Sequence, residues 1–302
     1  MLFARSIALP GCLLAILVST PACLVRRTII SHRGLNSGSP RPLITASRED
    51  LVHRLTAQYD ALRSFNATVD MTPETGSVYK GEITDYKDIR AYILYRKSSD
   101  IRIIGLAPVV RTKVFDMVST GENFRILIPP QNRFIEGRND APPTSKNSLE
   151  NLRPEAFLRS MTVPPPDPSL ETPLLVDATD EEDSLYVMVI IGKTAKGELM
   201  IDRAIFFDRT TLMVTRQKEY DSGGTILSDT RYTDWKTANH IAFPQTIHIS
   251  RPKDGYGVVI SVVKLETNPD ITDDKFVLEQ PPGSVLQTIG SAILPVSKAP
   301  AP

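Results

Sequence analysis

The sequence predicts a mainly β fold of the α+β class: an antiparallel sheet or barrel with an amphipathic helix ahead of it. From Asn66 onward, apolar residues recur with a period of two, in short runs rich in β-branched and aromatic side chains. Tight turns such as Thr120-Gly121-Glu122-Asn123 and Ser222-Gly223-Gly224 separate these runs, as in hairpin arrays. The stretch just before them keeps a helical spacing instead.

That helix is expected from Ser47 to near Ser64. Ser47 is a good N-cap, and Glu49 and Asp50 in the first turn suit the positive end of the helix dipole. Leu51, Leu55, Leu62 and Phe65, with Val52 and Tyr59, recur at helical intervals. Leu51, Leu55 and Leu62 are therefore expected to face a core or a ligand cavity between helix and sheet.

A first meander is expected from runs at 67–71, 79–86, 89–96, 102–106, 112–119, 124–128 and 133–137. Residues 138–184 interrupt it with Pro142, Pro143, Pro154, Pro164, Pro165, Pro166, Pro168 and Pro173. A short helix is expected there near Arg153–Ser160, in an excursion that reads as a lid, crossover or insertion. Strand signals resume at 185–191, 199–207, 212–220, 225–235, 241–250 and 257–265. Short turns between neighbouring strands favour an antiparallel sheet or barrel. Residues 284–302 read as a disordered tail.

Ahead of the fold lies a leader. Arg5 precedes an apolar run from Ile7 to Val18, and Ala22-Cys23 follows. Residues 1–22 read as a lipoprotein signal peptide, with Cys23 acylated (palmitate or a similar chain) as the first mature residue. A rival site at Cys12 leaves too little room for the apolar segment. An ordinary secretory signal and a retained anchor helix are the alternatives. Residues 23–46, with Arg26, Arg27 and Arg33 beside glycines and prolines, read as a flexible tether. The basic cluster suits either anionic headgroups or plain solvent.

Composition narrows the function. Lys+Arg and Asp+Glu both number 35, so no global field points to nucleic acid. The only cysteines are Cys12 and Cys23, so the mature domain would hold no disulfide. Four histidines, His32, His53, His240 and His248, are too scattered to suggest a metal site. No nucleophile, phosphate-binding or dinucleotide motif occurs, so neither an enzyme nor a cofactor is expected. Asp180-Glu181-Glu182-Asp183 reads as a solvated acidic loop, and Trp235 as core. In Gly105-Leu106-Ala107-Pro108-Val109-Val110, strand signals flank a bend whose Leu106, Val109 and Val110 are apolar. Such a tip either folds back over a barrel mouth or meets a membrane, lipid or partner.

The C-terminal third carries a resemblance. Tyr232-Thr233-Asp234-Trp235, Ile241-Ala242-Phe243-Pro244-Gln245-Thr246-Ile247, Leu265 to Ile271, and Phe276 before Pro281-Pro282-Gly283 form an ordered series. With Phe115 to Ser119 before Gly121, and Ile128-Pro129-Pro130, it resembles the outer-membrane lipoprotein-sorting group, the LolA/LolB-like proteins. The resemblance spans roughly residues 48–283. It implies an unclosed antiparallel β-barrel, residues 47–283, with helices covering one mouth and an apolar cavity for acyl chains of lipids or lipoproteins. It further implies a cell-envelope protein, at the outer membrane facing the periplasm, working in lipid or lipoprotein transport. A non-catalytic scaffold with a filled barrel and envelope protein partners is the alternative.

Overall fold

The computed structural model describes residues 42–139 and 154–289. The leader, Cys23, the tether up to Arg41 and the tail from 290 lie outside the described residues, as do residues 140–153 of the excursion.

Helix α1 (Arg48–Ala61) begins at the expected cap. The Asp50 amide donates to Ser47 Oγ at 3.1 Å, and the Asp50 carboxylate accepts from the Ser47 amide at 2.9 Å. This reciprocal box satisfies two otherwise orphaned donors. The helix ends three residues earlier than expected. Asn268 donates to the Ala61 carbonyl at 2.9 Å and accepts from the Arg63 amide at 2.8 Å. One side chain thus caps the helix and turns the chain into the first strand.

The strands are β1 (Ser64–Ser77), β2 (Glu82–Asp85), β3 (Ile89–Arg96), β4 (Asp100–Leu106), β5 (Lys113–Thr120), β6 (Asn123–Ile128) and β7 (Arg133–Arg138). After helix α2 (Pro154–Thr162) come β8 (Thr172–Asp177), β9 (Leu185–Lys193), β10 (Leu199–Asp208) and β11 (Val214–Tyr220). The rest are β12 (Ile226–Ala238), β13 (Ile241–Arg251), β14 (Tyr256–Thr267) and β15 (Val285–Ile289). They form one sheet in the order β15-β7-β6-β5-β4-β3-β1-β14-β13-β12-β11-β10-β9-β8, with β2 paired to β1. The path does not close, so the expected unclosed, mainly antiparallel barrel is the fold.

Three expectations need correction. Residues 79–86 are not one strand: the chain turns at Tyr79–Gly81, and β2 folds back on the end of β1, with Gly76 at φ +100° easing the reversal. The excursion contains β8, an edge strand that tolerates Pro173. The tail is ordered at its start, because β15 pairs in parallel with β7 from Val285↔Arg133 to Ile289↔Gly137.

Alternation along the strands puts Phe65, Val69, Ile93, Ile103, Ile190, Ile247 and Ile260 into one buried cluster with Leu51 and Leu55 of α1 and Phe157, Leu158 and Met161 of α2. Both helices therefore pack on the inner face. Helix α2 is pinned there by polar contacts: Tyr232 Oη donates to the Ser160 carbonyl at 2.7 Å, and Thr230 Oγ1 to Ser160 Oγ at 3.1 Å. A second small cluster, Val118, Phe134, Ile271, Phe276 and Leu278, covers the outer face. The chain after β14 is strapped across that face by arginines. Arg96 donates to the Ile271 carbonyl at 3.0 Å, Arg102 to that of Lys275 at 2.8 Å, and Arg125 to that of Leu278 at 3.2 Å.

Candidate functional site

Antiparallel pairing makes β1, β4 and β6 run in one direction. The β1–β2 turn, the Tyr86–Asp88 link, the 107–112 tip and the Pro129–Gln131 turn therefore lie at the same end of the sheet. At this end the described residues leave the inner face unfilled. A cavity of about 320 Å³ opens there, at the small end of the range for ligand pockets. Its walls are apolar side chains of the inner face, Met71, Ile89, Phe115, Met117, Ile126 and Val258, closed by Phe157 of α2. Tyr86, Lys87, Pro130 and Gln131 complete the lining from the links at this end.

Phe115 owes its place to a glycine. Gly105 stands opposite it across β4 and β5, and a Cβ at 105 would come within 2.4 Å of the ring. The missing side chain lets the ring lie over β4 as part of the wall.

Leu51, Leu55 and Leu62 are buried in the core, and none of them lines this cavity. α1 packs nearer β8 and β13, while the cavity belongs to α2. Leu106 is half-buried within β4, opposite Arg90 and Lys113. Val109 and Val110 stand out at 89% and 71% exposure, so the tip does not fold back as a cap. Val78, Tyr79, Ile83 and Tyr86 at the same end are also exposed.

A second, polar groove of about 680 Å³ runs between α2, the loop after it and β9–β10. Arg203, almost wholly buried, donates to the Pro164 carbonyl at 2.6 Å, the Pro165 carbonyl at 3.0 Å and Glu171 at 3.0 Å. Burial pushes the nearby Asp202 carboxyl up. Arg159 opposes that rise and Glu171 adds to it. Nothing in sequence spacing signals this groove, because its charges come from the proline-rich excursion and from β9 and β10.

The remaining candidates are separate. His248 Nε2 lies 3.0 Å from Glu74 Oε2, His240 sits in the β12–β13 turn, and His53 is on the exposed side of α1. Among the described residues no group of three or more His, Cys, Asp or Glu is placed to hold a metal, and no helix is long and apolar enough to cross a membrane. The acidic run is an exposed turn closed by the Asp180 carboxylate, which accepts from the amides of Glu182 and Asp183. Trp235 is partly buried against the core, and its Nε1 donates to the Val214 carbonyl at 2.9 Å.

No family model and no curated protein matches the chain. Several solved structures are similar to the chain. A LolA superfamily protein from Nitrosomonas europaea is 13% identical, with a TM-score of 0.49 over 75% of this chain and 97% of that one. A putative outer membrane lipoprotein-sorting protein domain from Vibrio parahaemolyticus is 12% identical, with a TM-score of 0.47 over 75% and 94%. A DUF1329 family protein from Desulfovibrio piger is 12% identical, with a TM-score of 0.47 over 76% and 95%.

Proposed function

We propose that this chain is a bacterial envelope lipoprotein, anchored at the outer membrane through acylated Cys23, that holds an acyl chain of a lipid or lipoprotein in the cavity under Phe157. The observation that carries this reading is the apolar cavity itself, open at the end of a sheet whose inner face is otherwise packed. Each methylene transferred from water into such a site contributes about 0.8 kcal/mol. The exposed Val109–Val110 tip at the same end is the proposed contact with the bilayer, so the ligand enters where the protein meets lipid.

Val258→Phe tests the cavity. It adds volume to one wall, and saturable uptake of a fluorescent fatty acid should fall by at least about tenfold while the melting temperature holds or rises. Unchanged uptake, or no uptake by the wild type, would overturn the proposal. A scaffold that binds envelope proteins is the second reading. It is favoured by the filled core around α1 and predicts no acyl uptake at all.

A further inference from the structure

We infer that the ligand of this cavity is a single-chain amphiphile with an anionic head, a carboxylate or phosphate, and that Lys87 meets that head at the mouth. The inference rests on the acyl-binding reading above and adds the class of ligand.

Among the described residues Lys87 is the only charged one that lines the cavity. It sits in the link between β2 and β3 and is exposed. Its ammonium has no ion-pair partner among the described residues. The neighbouring acids do not occupy it. Asp88 accepts from Thr72 Oγ1 at 2.5 Å, Asp85 is exposed, and neither lines the cavity. A lysine at an apolar rim lays its methylenes on that rim and holds its charge in water. Tyr86 and Gln131 flank the same opening with further polar groups. An alkyl tail inserted between Phe115, Met117 and Phe157 leaves its head at this mouth. There an anionic head gains a charge partner, a neutral head gains only hydrogen bonds, and a cationic head is repelled.

The gain is modest, because an exposed ion pair is worth up to about 1 kcal/mol, or about fivefold in affinity. Calorimetric titration of the full chain with dodecanoate, dodecyl phosphate, dodecanol and dodecylamine, all below micelle formation, reads it directly. The expected order at low salt is both anions tighter than the alcohol by about three- to fivefold, and the amine weakest. The tighter of the two anions identifies the head. High salt and Lys87→Gln should each erase the preference for the anions over dodecanol, and Lys87→Glu should favour the amine over dodecanoate. Equal binding of all four, or a preference that survives Lys87→Gln, overturns the role of Lys87 and leaves the cavity standing. Binding of none of them overturns the cavity reading and this inference together.

Discussion

Gly105→Ala is the sharpest test of the void, because the geometry sets its magnitude. The added Cβ would stand 2.4 Å from Phe115 Cε1, 2.7 Å from Cζ and 2.8 Å from Cδ1. Carbon contacts are comfortable from about 3.5 Å, so the ring must retreat by about 1 Å. Overpacking a filled core costs about 1–3 kcal/mol. Phe115 borders the cavity, so its ring has room to move, and a loss of about 1 kcal/mol or less is expected. The ring then occupies ligand space. Excluding two methylenes removes roughly 1.6 kcal/mol, or more than about tenfold in affinity. Urea unfolding can be followed through Trp235, the single tryptophan, which packs 6.1 Å from Tyr232 between ring centroids. A fluorescent fatty-acid titration supplies the second readout. A stability loss of about 3 kcal/mol or more with unchanged affinity would refute the reasoning, since it would mean that the ring has nowhere to go.

Two further outcomes follow from charge and exposure. Asp116 is fully buried on β5; burial pushes its carboxyl up, but hydrogen bonds from Arg102 and Lys113 outweigh that and hold it below the ordinary 3.8. Its folded value lies below its unfolded one. Its contribution is therefore complete above about pH 4 and is lost as pH falls through the folded value. Asp116→Ala should cost about 3 kcal/mol at neutral pH and flatten the acid limb of the stability curve, and an unaltered acid limb would contradict this assignment. At the tip, Val109→Glu with Val110→Glu should leave the melting temperature within about 2 °C of wild type, because surface changes of this kind stay within about 0.5 kcal/mol. Liposome binding by the non-acylated protein should fall; equal binding would leave the tip without a membrane role.

Local chemistry made much of this fold legible. Ser47 and Asp50 mark the start of α1 because a cap is a contact between residues three apart. The strands β3, β5, β6 and β9 to β14 follow from alternation and from turns that need only a few residues to specify. What was missed depends on distant partners. The end of α1 is set by Asn268, far along the chain. The strand β15 is five residues long and is held by parallel pairing to β7, which leaves no hairpin signal. β8 hides among prolines because only its outer edge is free. The cavity was invisible for another reason: packed walls and cavity walls ask for the same apolar residues. Only the register that sets Phe115 against Gly105, and α2 above it, separates Leu51 in the core from Met117 at the void.

Pairing of β1 with β14 has a consequence for how the molecule is assembled. Apart from this pair, antiparallel neighbours are successive strands, with β1–β3 skipping only β2. The runs β1–β7 and β8–β14 are therefore each an array of local contacts that can form early, whereas the seam between them, like the β15–β7 pair, joins strands far apart in the chain. Such non-local closure is the slow part of folding. During synthesis β1 would wait with one edge bare until nearly the whole domain had emerged, a condition that invites wrong pairing.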